Sequence, residues 1–206
     1  MRRKIIAMSL ALSMLFTVGA CGGNAVAATK KPTTTTTSKK PSTTNKKPTT
    51  TNKKAKTPTL SQIEKAVKKA YGDGYLPSQK IDKETLSEVY GIKESMYDGV
   101  FAEGPMLSFQ IDTFIAVKAK PSKVKAVKSA MEKYKKYLIA ESMQYPMNAA
   151  KLPAIQIYQF DNYVFFSMLV TPPDDKAETE GQILAAAKKH NKIAYNTVKK
   201  LFNTKK

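Results

Sequence analysis

Few residues of this chain are of the types that carry out catalysis. His190 is its only histidine, so the sequence holds no multi-histidine metal site and at most one imidazole base. Cys21 is its only cysteine, which excludes an internal disulfide. The patterns of a nucleophile elbow, a phosphate-binding loop, a zinc protease and an EF-hand are all absent. The sequence therefore predicts neither a metal site nor a cofactor.

Carboxylates are the remaining candidates for acid–base chemistry. Two pairs, Glu84 with Glu88 and Glu94 with Asp98, have spacings that place both members on one helical face or turn. A glycosidase needs two acids that face each other across a cleft, and sequence spacing does not establish that geometry. We interpret both pairs as solvated surface groups.

Asp112, Glu103 and His190 are the residues on which a hydrolase would depend. We expect Asp112 on the outer, solvated face of a strand, and we mark it together with Tyr163 as a candidate binding residue. His190 falls within the apolar stripe of the last predicted helix, where a packed, hydrogen-bonded histidine is expected. Convergence of Asp112, Glu103 and His190 in a concave pocket favours a hydrolase, whereas scatter over the surface favours a binding module.

Cys21 lies in a context that predicts export and covalent lipid attachment. Residues 1–20 have a basic start and a short apolar run, which is typical of a signal peptide and too short to span a membrane. Val18-Gly19-Ala20-Cys21 resembles the lipobox of bacterial lipoproteins, and this resemblance makes Cys21 the lipid-bearing residue. A single acyl chain attaches a protein to the membrane only marginally, so we expect a diacylglyceryl anchor with fatty acyl chains such as palmitate. Ala25-Val26-Ala27 is the competing cleavage site of ordinary secretion.

Residues 21–58 are predicted to form a lipidated N-terminus and a disordered spacer. The stretch 29–58 repeats lysine, threonine, proline and asparagine without a large apolar residue, so it cannot offset the entropy of folding. Its nine lysines and absence of acids favour contact with anionic lipid or an anionic wall polymer. A linker that lysine merely keeps soluble and extended is an equal alternative. Nucleic acid is not expected as a partner, because an exported chain held at the membrane does not meet it.

Residues 59–206 are predicted to form one α+β domain, a small antiparallel sheet with long amphipathic helices packed on one face. Thr59 or Ser61 opens the first helix, Ser61 and Glu64 having the spacing of a capping box, and a short second helix turns Leu86 and Val89 inward. The other predicted elements are a strand at 107–119 with one face partly wet, a shorter strand around residue 100, a helix from 121 to before 145, a hairpin at 154–169, and a helix from about 175 to 202.

The hairpin carries an unusual number of aromatic side chains. Its strands are joined at Asp161-Asn162, whose side chains tolerate the left-handed conformation of a tight turn. Both faces hold apolar residues, so either the hairpin is covered twice or one face is an exposed patch for a partner. We favour burial of both faces.

With these features in view, the chain resembles exported lipoproteins of Gram-positive bacteria that carry a domain of unknown function (DUF4358 type). The resemblance covers residues 76–169 and rests on Tyr90-Gly91-Ile92, Asp112, Tyr145-Pro146 and Asn162-Tyr163-Val164. It implies location and fold, and it implies no activity.

The sequence as a whole predicts a non-catalytic surface lipoprotein on the extracytoplasmic face of the cell membrane. Its exported domain is expected to bind a protein or polymer of the cell envelope. The alternative is a cell-envelope hydrolase that uses acids such as Asp112 or Glu103 in a cleft.

Overall fold

The computed structural model describes residues 57–173 and 176–204 of the 206-residue chain. Cys21, the predicted signal peptide and the predicted spacer up to residue 56 lie outside the described residues. Within the described ranges, no helix combines the length and the apolar character that a membrane crossing requires.

The described residues form an α+β domain, which confirms the predicted class. The strands are β1 (Gln79–Lys80), β2 (Tyr97–Gly104), β3 (Thr113–Ala119), β4 (Gln156–Phe160) and β5 (Tyr163–Met168). The α-helices are α1 (Leu60–Tyr71), α2 (Lys83–Glu88), α3 (Val124–Ala140), α4 (Pro146–Ala149) and α5 (Glu180–Asn203).

All neighbouring strands pair antiparallel in the order β1-β2-β3-β5-β4, so the first two strands and the hairpin flank β3. The predicted hairpin is confirmed as β4 and β5. Asp161 adopts the left-handed conformation with φ 52°, and the side-chain amide of Asn162 donates to the carbonyl of Ala119 on the neighbouring strand. The turn residues therefore close the hairpin and also fix it to β3.

Helices cover both faces of the sheet. On one face, Phe114 and Phe165 pack with Ile63 of α1 and Val198 of α5. On the other face, β3 and β5 residues pack with α3; this cluster includes Ile115, Val117, Val164, Phe166, Val127 and Met131. The expectation of helices on one face is wrong, because β3 and β5 are apolar on both faces and each face requires a cover.

The strand predicted at 107–119 begins only at Thr113, and its second face is not wet, since Phe114 is fully buried. Leu107 and Phe109 lie in the β2–β3 loop and are 47% and 56% exposed. The loop turns at Leu107, whose carbonyl accepts from the amide of Gln110, and the side chain of Asn148 donates to the carbonyl of Phe109. These hydrogen bonds replace the strand pairing that the alternation of apolar and polar residues from Leu107 predicts.

The ends of α1 and α2 agree only in part with the prediction. Of the two residues predicted to open the first helix, Thr59 is confirmed, and the capping box of α1 joins Thr59 to Gln62 instead of Ser61 to Glu64. In α2 the predicted burial of Leu86 is confirmed, whereas Val89 is 51% exposed, because the helix ends at Glu88.

Helix α5 begins at Glu180, later than predicted, behind a capping box formed by Thr179 and Gln182. Its buried stripe contains a polar residue, Asn191, whose side-chain amide donates to the carbonyls of Ala154 and Ser167 over 2.8 Å. Those two bonds join α5 to β5 and to the segment before β4.

Candidate functional site

Asp112 lies in the interior, just before β3, and is 1% exposed. Its Oδ1 accepts from the backbone amides of Val170 (2.8 Å) and Thr171 (3.1 Å), and its Oδ2 accepts from the hydroxyl of Thr171 (2.6 Å). Burial nevertheless raises the pKa of the carboxyl, outweighing these donors and the charge of Lys151. The expectation of a solvated Asp112 is wrong, because β3 is a central strand and both of its faces are covered.

His190 is packed on α5 against the ring of Tyr71, edge to face, with centroids 4.9 Å apart. The hydroxyl of Tyr71 donates to the carbonyl of His190 (2.9 Å) and accepts from the amide of Ala194 (3.1 Å). Among the described residues, Nε2 of His190 is buried and has no hydrogen-bond partner. Burial lowers the pKa of the imidazole, and the charge of Asp112 opposes this shift.

Glu103, on β2, is engaged by two donors. One carboxylate oxygen accepts from Nζ of Lys68 (2.8 Å) and the other accepts from the hydroxyl of Tyr75 (3.0 Å). Lys68 also contacts Glu64 one turn earlier on α1 (3.0 Å). Two carboxylates thus share one ammonium group, which leaves this part of α1 and β2 with a negative charge.

The three predicted hydrolase residues do not assemble into one site. No hydrogen bond joins any two of these residues in the described part of the chain. His190 lines a pocket of about 360 Å³ beside Pro172 and Pro173, whereas Glu103 lines a different pocket. Nor do residues 57–173 and 176–204 contain a group of three or more histidine, cysteine, aspartate or glutamate side chains placed to hold a metal ion.

Tyr163, the second candidate binding residue, lies within the core. It is 3% exposed, and its ring packs edge to face against Phe202 with centroids 5.4 Å apart. All six residues of β5 are buried, which confirms that the hairpin strand following the turn is covered on both faces. The ring of Tyr163 is therefore not presented to a partner in solution.

A cleft of about 770 Å³ lies between α1, α2 and the outer edge of β2. Its apolar lining consists of Ile81, Leu86, Val100, Phe101 and Ala102. Its charged lining consists of Glu64, Asp82, Glu94, Asp98, Glu103, Lys80 and Lys83. The cleft combines an apolar floor with a rim that holds five acids and two lysines, so the rim is net negative.

The outer edge of β2 is only partly paired. Strand β1 covers Gly104 and Glu103, and the next backbone bond joins the amide of Ile81 to the carbonyl of Ala102. The chain then turns away, because Asp82 caps α2 by accepting from the amide of Thr85 (2.7 Å). Backbone groups alternate along a strand, so the amide and carbonyl of Val100 point to the same edge as those of Ala102, beyond the end of β1.

Tyr97 adds a polar group to this cleft. The residue lines the cleft and is 7% exposed, and its hydroxyl is buried without a hydrogen-bond partner among the described residues. Burial raises the pKa of the phenol, and the charge of Glu94 raises it further.

Sequence reasoning missed the cleft as a site. Glu94 and Asp98 are exposed, as predicted, but they stand on its rim together with Glu103, which was considered only for hydrolysis. The available indication was the concentration of acids between residues 82 and 103 in a chain of net charge +19. Their arrangement around one edge depends on a two-residue strand, β1, which no sequence pattern predicts.

The fold and the site thus define the class of this domain: an α+β domain with a charged cleft at the edge of its sheet. Residues 70–169 match the family described as Domain of unknown function (DUF4358). The matched segment includes all residues that line the cleft except Glu64. No curated protein and no solved structure is significantly similar to the chain.

Proposed function

We propose that this chain is a membrane-anchored surface lipoprotein whose α+β domain binds a protein or polymer of the cell envelope without catalysing a reaction on it. The observation that carries the proposal is the 770 Å³ cleft, which lies at a sheet edge that β1 pairs only in part and which joins an apolar floor to a charged rim. Binding sites are concave, mostly apolar and supplied with a few polar groups that orient the ligand.

The polar groups near the cleft support binding more than catalysis. A general acid or base requires a free titratable group within hydrogen-bond reach of the reacting atom. Glu103 is held by Lys68 and Tyr75, and Asp112 is held by Val170 and Thr171 away from the cleft. These carboxylates act as fixed structural partners, which does not favour the hydrolase alternative.

The predicted N-terminal features give the domain its place in the cell. We propose that Cys21 carries the lipid, that this anchor holds the chain on the extracytoplasmic face of the membrane, and that the nine spacer lysines contact anionic lipid or an anionic wall polymer. The cleft would then face components of the envelope.

Site-specific crosslinking in intact cells tests the proposed binding site. A photoreactive residue replaces Asp98 on the rim of the cleft or, as a control, the exposed Lys128 on α3, which lies on the opposite side of the sheet from α1. We expect a discrete adduct to form from position 98 and not from position 128. Absence of an adduct at position 98, or the same adduct from both positions, would contradict a binding role for the cleft.

A further inference from the structure

We infer that the cleft binds an extended segment of another envelope protein, rich in lysine or arginine, which adds as a strand to the open edge of β2. This inference rests on the proposed function, because it names the class of ligand that the same cleft takes. Strand addition to an unpaired sheet edge is a common mode of peptide recognition, in which main-chain bonds give affinity and alternating side chains give specificity.

The backbone of β2 supplies the main-chain part of this interaction. Ser78 and Ile81 donate to the carbonyls of Gly104 and Ala102, so the outward-facing positions near the end of β2 are filled by the chain itself. Val100 is the next outward-facing position, and β1 does not reach it. A peptide that continues the line of β1 would pair antiparallel to β2 from this position towards Tyr97.

The two sides of the cleft offer different environments to the alternating side chains of such a strand. One side carries the apolar residues Leu86 and Ile81, which pack with the core under α3. The other side faces α1, where Glu64 and Glu103 share the single ammonium group of Lys68. Side chains of an added strand point alternately to the two faces, so apolar residues would meet the first side and basic residues the second.

The charge of the rim decides which peptide fits. Five acids and two lysines line the cleft, and one of those lysines, Lys83, already pairs with Glu94. A cationic segment would compensate the excess of acids, whereas an anionic one would be repelled. Electrostatic complementarity of this kind fixes partner choice and speeds association.

A labelled peptide provides the probe for a test with the full-length chain. The peptide has about eight residues, long enough to span β2, with alternating lysine and valine and with both ends blocked. Fluorescence anisotropy should show that it binds at least about ten-fold more tightly than a glutamate–valine peptide of the same length. Equal binding of the two peptides, or binding of neither, would overturn the inference.

Charge reversal on the rim and its matched control locate the binding. Glu94→Lys with Asp98→Lys should weaken binding of the lysine–valine peptide about ten-fold. Glu84→Lys with Glu88→Lys makes the same change of net charge at exposed positions of α2 outside the cleft and should leave the affinity within about two-fold. Equal losses from the two double variants would contradict the assignment to the cleft.

Backbone methylation tests the strand addition itself. A lysine–valine peptide methylated at alternate amide nitrogens keeps its charge but cannot donate to the carbonyl of Val100, so its binding should be lost. Retained affinity would overturn the strand geometry.

The chain's own spacer is an alternative occupant of the cleft. If a full-length chain with its nine spacer lysines replaced by glutamine binds the probe at least about ten-fold more tightly, the spacer is the occupant and the inference is overturned.

The two proposals can fail separately. Crosslinking from position 98 in cells, combined with no affinity for the lysine–valine peptide, would leave the binding function standing and overturn the peptide. Dimerisation of the chain that the peptide reverses would identify a second copy as the occupant and would likewise overturn the inference. Loss of both the cellular crosslink and the peptide affinity would contradict the proposed function and the inference together.

Discussion

The carboxylate of Asp112 is a fixed link between two segments that are far apart in the sequence. It receives three hydrogen bonds from Val170 and Thr171, so it joins the start of β3 to the chain that leaves β5. A short polar side chain in a loop of this kind satisfies backbone amides that no strand partner reaches. Its role is to hold the fold, since the surrounding residues exclude it from solvent.

Replacing Asp112 by alanine should destabilise the domain. Alanine has no acceptor, so the amides of Val170 and Thr171 would lose their partner in the interior, which should cost about 1 to 3 kcal/mol of the free energy of unfolding. Urea denaturation measures the loss. The control Asp98→Ala, at an exposed position, should change stability by less than about 0.5 kcal/mol. Equal stability of the two variants would contradict a structural role for Asp112.

His190 makes a clean test of burial, because no other histidine titrates in this chain. Burial lowers the pKa of its imidazole below 6.5. The unfolded chain therefore takes up a proton near pH 6.5 that the folded chain accepts only at lower pH. Stability should be complete above that pH and should fall as the pH drops towards the lowered pKa.

The imidazole resonances of full-length protein give this pKa directly by NMR titration. His190→Gln should remove the part of the pH dependence of stability that belongs to this side chain. A measured pKa at or above 6.5, or an unchanged pH dependence in the variant, would show that the imidazole is not buried against Tyr71.

At the scale of elements, helix caps decide where α1 begins. The Thr59 hydroxyl accepts from the amide of Gln62, and the Gln62 side chain accepts from the amide of Thr59. Thr59→Ala should cost about 1 kcal/mol of the free energy of unfolding. Ser61→Ala, which removes the cap that the sequence spacing suggests, should cost less than about 0.5 kcal/mol. Chemical denaturation compares the two, and a larger loss from Ser61→Ala would contradict the observed cap.

Elements whose own periodicity determines their burial could be predicted from the sequence. Helix α3 buries Val127, Met131 and Leu138 as its spacing indicates, and the hairpin turns at Asp161. Elements that depend on distant partners could not. The alternation that begins at Leu107 looks like a strand, but side-chain and turn bonds in the β2–β3 loop hold that segment out of the sheet.

The same limit applied to the candidate site. Chemical residue types identified Glu103 and the Glu94–Asp98 pair, but their common position depends on how α1, α2 and β2 pack. Tyr97 gave no indication in the sequence, because an unpartnered buried hydroxyl is a property of tertiary packing. Residue type therefore identified some of the residues that line the cleft, whereas the position of the cleft depends on tertiary packing.

At the scale of the whole molecule, charge is separated between two regions. Residues 1–58 contain twelve basic residues and no acid, whereas the cleft rim of the domain has five acids and two lysines. Basic segments near a membrane are attracted to anionic lipid. The net negative charge of the cleft rim is thus opposite in sign to the net charge of the chain, which is +19.

Removal of the proposed lipid attachment should release the chain from the membrane. Cys21→Ala lacks the sulfur that the diacylglyceryl group requires, so the protein should leave the membrane fraction after cell fractionation. Ser38→Ala, a spacer substitution that keeps the thiol, should remain in that fraction. Persistent membrane association of Cys21→Ala would contradict the lipid anchor.

Hydrogen exchange along β2 tests the binding cleft most directly. In the purified full-length chain, the outward-facing amide of Val100 should exchange fast and the amide of Phe101, which faces Ala116 on β3, should exchange slowly. In native membranes, where the proposed partner would be present, exchange at Val100 should slow at least about ten-fold. Slow exchange at Val100 in the purified chain, or unchanged exchange in membranes, would contradict an open edge that binds an envelope component.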